Sequence, residues 1–174
     1  MAWVCNEPNP GDLLQSTIQE CKLALACTTD GHGHLLIMGT LIALFLVALL
    51  LGGMIFFAAV MAPLVFTRLP ADQAGTFIRQ VFPVYYVYVA ALSAAASIAL
   101  AAGHRLDAAL MALCAATTVW LRQGLMPMIN QRSDAMRAGD TSAKKGFDAM
   151  HRLSVVINFA QILAAGFVLA RFAI

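Results

Sequence analysis

Four polar side chains interrupt an otherwise oily stretch near the C-terminus: His151, Ser154, Asn158 and Gln161 within MHRLSVVINFAQILAAGFVLARF. The imidazole can exchange a proton near neutral pH or ligate a metal. The hydroxyl and the two amides donate and accept hydrogen bonds. At 100° per residue these positions fall within an arc of about 80° on a helix, and Ala165 continues the same face. Ile157, Phe159 and Leu163 lie outside it. Such a stripe does not face lipid, because an unpaired amide or hydroxyl in hydrocarbon costs several kcal/mol. Two uses remain. Either Asn158 and Gln161 bond across to Ser93, Ser97, Thr117 or backbone carbonyls as interhelical glue, or the stripe lines a polar cavity open at one membrane face.

Aromatic residues collect at the same end of the pattern. Phe66, Phe82, Trp120 and Phe147 suit an interfacial belt, but Tyr85, Tyr86 and Tyr88 are more than anchoring needs. Tyr85 and Tyr88 share a face and are expected to turn inward, their hydroxyls toward His151. The candidate cavity therefore comprises His151, Ser154, Asn158, Gln161, Tyr85, Tyr86 and Tyr88. The chain has no phosphate loop, no nucleophile with a base at workable spacing and no zinc-protease signature. That argues against an enzyme, and no cofactor is expected. Cys5, Cys21, Cys27, His32 and His34 fall in the first 34 residues without a CxxC pair, so they read as unrelated residues of an extension. Cys114 lies in an apolar run and reads as packing. Residues 1–20 lack the basic start and apolar core of a signal peptide.

The elements that must position these residues are membrane spans. Of 174 residues, 61% are hydrophobic and only 11% charged, against about a quarter charged in soluble domains. From Leu35 to Thr67 there is no charged residue, a run of about 50 Å as a helix, longer than the hydrocarbon layer. Four spans are predicted, at about 36–62, 81–102, 107–124 and 152–171, making residues 35–174 an all-α, four-helix membrane domain. Residues 1–34 are a polar extension in which PNPGD and TTDGHGH read as turns or disorder. The first span is expected to bend near Gly52, Gly53 and Pro63. Pro83 is expected in the first turn of the second span, where its missing N–H costs nothing. Residues 127–149 read as a polar loop with short interfacial helices separated by Gly139.

Basic residues orient the bundle. Arg68, Arg79, Arg122, Arg132, Arg137, Lys144, Lys145 and Arg152 fall on one face, and only Lys22, Arg105 and Arg171 on the other. The bias predicts an inner (plasma) membrane protein with both termini on the non-cytoplasmic side. The net charge of +2 is too small and scattered to imply nucleic acid. The expected partners are the lipid bilayer and either a second copy or a larger membrane complex. Small residues at four-residue spacing, such as Gly39, Ala43, Ala90 and Ala94, allow close helix packing.

Two blocks of residues carry a family resemblance. The first is Phe57, Phe66, Leu69, Pro70, Gly75, Phe82, Pro83, Tyr85 and Tyr86; the second is Phe147, His151, Ser154 and Asn158. With these the chain resembles the four-span membrane family that includes eukaryotic transmembrane protein 205, from His34 to the C-terminus. The resemblance implies a four-helix membrane bundle and transport or export, including of metals or metal-containing compounds. The N-terminal extension with its three cysteines is absent from the family pattern.

The expected function is transport or permeation of a small solute or metal species. No charged residue lies mid-span, so the usual coupling groups of a charge-driven pump are missing. One alternative is a haem- or copper-binding membrane protein with His151, His104, Met111 and Met126 as candidate ligands, although the two histidines are predicted at opposite faces. Another is a structural or assembly subunit of a larger complex.

Overall fold

The structure, a computed structural model, describes residues 10–172, with side chains at Gln19 and from residue 33 onward. The side chains of Cys5, Cys21, Cys27 and His32 lie outside the described residues. By compactness the chain divides into residues 1–38 and residues 39–174. Every element among the described residues is helical. Helix α1 runs Pro10–Phe56, so the backbone is helical through the TTDGHGH stretch where turns were expected. Once a helix is nucleated, each added residue contributes one hydrogen bond, and single glycines do not stop it.

Four helical segments are long and apolar enough to cross a membrane: Gly33–Arg68, Ala71–Leu100, Arg105–Arg137 and Ala143–Arg171. The protein is an all-α, multi-pass integral membrane protein built as a four-helix bundle. Its large apolar side chains point outward as well as inward. Phe45, Val84, Ile98, Leu113 and Val156 are all more than 60% exposed, the pattern of helices solvated by lipid.

Two of the four segments are not simple α-helices. The first passes from α1 through a π-helical turn, Phe57–Met61, into α2, Ala62–Arg68. The third passes from α4, Arg105–Trp120, through a second π turn, Leu121–Leu125, into α5, Met126–Arg137. Each π turn ends two residues before a proline, Pro63 or Pro127. A proline offers no N–H to the carbonyl four residues back, and its ring crowds that carbonyl. The ladder slips instead: Ala62 N–H bonds to Phe57 O, and Met126 N–H to Leu121 O. The first span therefore widens at Pro63 without breaking at Gly52–Gly53.

The connections are shorter than the sequence suggests. Leu69, ahead of Pro70, takes the extended conformation a pre-proline residue favours (φ −106°, ψ 144°), and helix α3, Ala71–Leu100, begins at once. Pro83 is consequently an interior residue of α3, not a first-turn one, and the carbonyl of Arg79 forgoes its ladder partner. The 127–149 segment is mostly an extension of two spans. After Arg137 the chain turns at Gly139, whose φ of +98° suits glycine, and Asp140 N–H bonds back to Ala135 O at 3.0 Å. Asp140 Oδ1 accepts from Ser142 Oγ (2.6 Å) and Ser142 N–H (2.9 Å) just ahead of helix α6, Ala143–Arg171. Those bonds, with the positive charge of Arg132, hold its carboxyl below the usual range.

The core of residues 39–174 joins Ala43, Val47, Leu50 and Met54 of α1 to Tyr85, Val89, Ala96 and Leu100 of α3. Met111 and Cys114 of α4, Leu121 and Leu125 of the second π turn, and Ala165 and Val168 of α6 complete it. In this core α3 packs along α4, and α6 packs against α4 and α5. At the turn end of the bundle, Asp107 is 1% exposed beside the Nε of Arg171 at 3.3 Å. The contact is an ion pair without hydrogen-bond alignment, and among the described residues neither carboxylate oxygen has a donor.

Candidate functional site

The two π turns and Pro83 lie toward the same end of the bundle. Widened helices pack less closely, and a cavity of about 340 Å³ opens there. The first span contributes Phe57, Ala58, Ala62 and Phe66. Helix α3 contributes Gly75, Ile78, Arg79, Phe82, Tyr85 and Tyr86, and α5 contributes Met126, Ile129, Asn130 and Ser133. Helix α6 contributes Phe147, His151, Ser154, Val155 and Asn158. The size is at the lower end of ordinary small-molecule sites.

One wall is aromatic. Phe57 stacks on Tyr85 with centroids 4.4 Å apart, and Phe82 meets Phe57 edge-on at 5.4 Å. Tyr86 tilts against Phe82 and Tyr85 at 5.5 and 5.8 Å. Helix α6 adds polar groups. Tyr85 Oη donates to Asn158 Oδ1 at 2.7 Å, bridging α3 to α6. Among the described residues, the Asn158 amide nitrogen has no partner, so its two N–H donors remain available at the cavity wall. Ser154 Oγ donates to His151 O at 2.7 Å within its own helix. The His151 ring lies parallel to Phe147, one turn earlier, with centroids 5.9 Å apart.

Of the seven residues singled out in the sequence, five line this cavity: Tyr85, Tyr86, His151, Ser154 and Asn158. Gln161 and Tyr88 do not. Gln161 is buried one turn deeper, where the neighbour is α4. Its Nε2 donates to Thr117 Oγ1 (2.8 Å), Thr118 Oγ1 (3.0 Å) and Cys114 O (3.3 Å). It clasps α6 to α4. Tyr88, three residues after Tyr85, is turned toward α1 and donates to Leu49 O. Gly53 makes room for its ring: a Cβ there would sit 2.7 Å from the ring carbons. The tyrosine hydroxyls thus reach Asn158 and Leu49, not His151.

The sequence marks Arg79 only as a topology charge, yet it reaches the cavity. One guanidinium nitrogen pairs with Asp134 at 2.7 Å and another donates to Asn130 O at 3.1 Å, tying α3 to α5. Met126, Asn130, Ser133 and Arg137 recur at helical spacing, a pattern that marks one face of α5 and was legible in principle. Among the described residues, no three His, Cys, Asp or Glu gather to hold a metal. His104 sits against Phe172, centroids 4.7 Å apart, at the end of α6. His151 lies 21 residues earlier on that helix, about 30 Å away.

Fold and site together define a small helical membrane protein with a partly polar cavity near one end of the bundle. The chain belongs to the family described as a domain of unknown function, DUF4149, whose model matches residues 45–138. That range holds the first-span, α3 and α5 walls, whereas His151, Ser154 and Asn158 follow it. No curated protein and no solved structure matches the chain.

Proposed function

We propose that the protein binds and passes a small solute through this cavity, in the role of a transport or permeation protein. The observation that carries the reading is a preformed space among all four spans that ends at the Tyr85–Asn158 pair. Space of this kind is costly in a packed bundle, and here it is produced by residues that disturb helix geometry, Pro63, Pro83 and Pro127. Beyond Asn158, the Gln161 clasp on Thr117 and Thr118 closes the line. A single copy is therefore a vestibule, and passage requires the clasp to open.

Eight basic residues at the cavity end support a cytoplasmic mouth, with both termini outside, in the inner (plasma) membrane. The resemblance to the family of transmembrane protein 205 points the same way through His151, Ser154 and Asn158.

The test compares small-molecule and metal content of cells carrying the wild type, no gene, or Asn158→Leu at matched protein abundance. The expected result is one solute class whose level differs between wild type and null, with the variant resembling the null. Identical contents in all three would overturn the reading.

A further inference from the structure

Positive charge is in excess beside the cavity: Arg79 lines it, and Arg132 and Arg137 lie next to its lining. Arg79 is inside it, anchored by Asp134 and the Asn130 carbonyl. Arg137 extends over α3 so closely that a Cβ on Gly75, a cavity-lining residue, would lie 2.8 Å from its NH2 nitrogen. Arg132 lies over Gly146, next to cavity-lining Phe147, with its guanidinium 3.4–3.5 Å from where a Cβ would be. Two glycines thus serve as seats for two guanidinium groups. Among the described residues neither Arg132 nor Arg137 forms an ion pair, although Asp140 adds a negative field near Arg132. Across this end of the protein, eight basic residues face four acidic ones, Asp72, Asp134, Asp140 and Asp148.

Below the arginines the chemistry changes. The lining there includes Phe57, Phe82, Met126 and Ile129, with hydrogen-bond donors from Asn158 at its inner end. A cationic rim beside an interior with an aromatic, apolar wall matches a molecule with an anionic head and an apolar body. A free inorganic anion would leave the interior unused. A neutral apolar solute would leave two unpaired guanidiniums unused.

We infer that the cavity binds an anionic amphiphile, a carboxylate or phosphate head held by Arg79, Arg132 and Arg137 with its apolar part between Phe57, Phe82 and Met126. This rests on reading the cavity as a solute site and names the class of solute. Guanidinium–carboxylate and guanidinium–phosphate bonds are charge-assisted and bidentate, and among the stronger ones available to a side chain. Either a lipid of the bilayer or a free amphiphilic acid supplies this chemistry.

The experiment uses the full chain in phosphatidylcholine nanodiscs with a photoactivatable dodecanoate carrying a diazirine near the end of its tail. The expected result is labelling of peptides containing Phe57, Phe82 or Met126, with dodecanoate competing at a roughly tenfold lower concentration than dodecanol. The Arg132→Gln/Arg137→Gln variant alters exposed side chains, and its fold is checked by monodispersity. It is expected to remove most of that tenfold preference. Gly75→Ala, which keeps every charge but displaces Arg137 from its seat, is expected to reduce the preference partially. Adding phosphatidylglycerol to the disc distinguishes the sources: reduced labelling assigns the head to a bilayer lipid, and unchanged labelling assigns it to a free acid. Equal competition by dodecanol and dodecanoate would overturn anion recognition while leaving the cavity a solute site. Labelling confined to lipid-facing residues such as Phe45, Leu113 and Phe159 would overturn occupancy by an amphiphile. Failure of the solute reading itself is seen separately, as cell contents unchanged by loss of the gene.

Discussion

Tyr85 and Asn158 are 73 positions apart in the chain and joined by a 2.7 Å hydrogen bond, phenol to amide oxygen, at the inner end of the cavity. The bond fixes which way the amide faces. With its oxygen taken by Tyr85, the donor side of Asn158 is left for the cavity. A pair that served only to hold helices together would not need to leave donors free. Tyr85→Phe is expected to cost only about 1 kcal/mol of stability, the usual worth of an interhelical hydrogen bond in a membrane, measured by thermal unfolding in detergent. Asn158→Leu is expected to leave the protein as abundant as wild type while abolishing solute handling, because the bridge to Tyr85 is lost and the tetrahedral leucine branch crowds the inner end of the cavity. Loss of folded protein in the Asn158→Leu variant would assign Asn158 to packing.

Gln161 is expected to behave in the opposite way. Its bonds run to α4, and both threonines already donate to carbonyls of their own helix: Thr117 to Leu113 O at 2.7 Å, Thr118 to Cys114 O at 2.7 Å. Gln161→Leu removes the clasp without stranding either hydroxyl. The cost is about 1–2 kcal/mol, seen as a lower unfolding temperature, with amphiphile binding at the cavity unchanged. If the clasp closes the passage, the same variant raises the rate at which solute crosses. Equal stability to wild type would show that the clasp contributes nothing to holding α4 and α6 together.

The contrast between these residues shows what the sequence could carry. The helical wheel places His151, Ser154, Asn158 and Gln161 on one face, and they do share it. A wheel has no depth, however, and one turn further in the neighbour changes from cavity to α4. Tyr88 shows the same limit sideways, since a turn of three residues from Tyr85 is enough to meet α1 instead of α6. The spans were legible because a charge-free run such as 35–67 is long enough to cross a bilayer and too apolar for a water-facing helix. Their ends were not, because Met126–Arg137 is polar enough to read as loop while the helix simply continues out of the apolar layer. The cavity had a legible cause that composition alone does not show: prolines inside apolar runs, at 63 and 127, slip the ladder by one residue and prevent close packing.

That cause is testable. Pro63→Ala and Pro127→Ala each restore an N–H and remove a ring clash, so the ladder is free to return to four-residue spacing. Proline in a helix interior is disfavoured by about 3 kcal/mol relative to alanine; part of that gain is retained as stability. Rotating the residues before each former π turn by one position realigns Phe57 or Leu121 and closes the space. The expected outcome is a higher unfolding temperature together with weaker labelling of the cavity by the photoactivatable dodecanoate. Stability raised with labelling intact would show that the π turns do not maintain the cavity.

Asp107 poses the reverse problem at the other end of the bundle. Its carboxylate is buried; among the described residues its oxygens lack hydrogen-bond donors, and the one charge paired with it is Arg171, itself 43% exposed and 3.3 Å away. Desolvating an ion is expensive, and one misaligned, half-solvated partner offsets only part of it. Asp107→Asn removes the charge and keeps the shape, so it is expected to leave stability unchanged or raise it. Arg171→Ala does the opposite: it strands the carboxylate and is expected to cost on the order of 2 kcal/mol. In the double variant most of that cost should vanish, since no buried charge is left without a partner. Thermal unfolding of the three variants in one detergent measures all of this in a single cycle. Destabilisation by Asp107→Asn as large as that by Arg171→Ala would mean that the pair is a net source of stability, and that the buried carboxylate is retained for the bundle rather than at its expense.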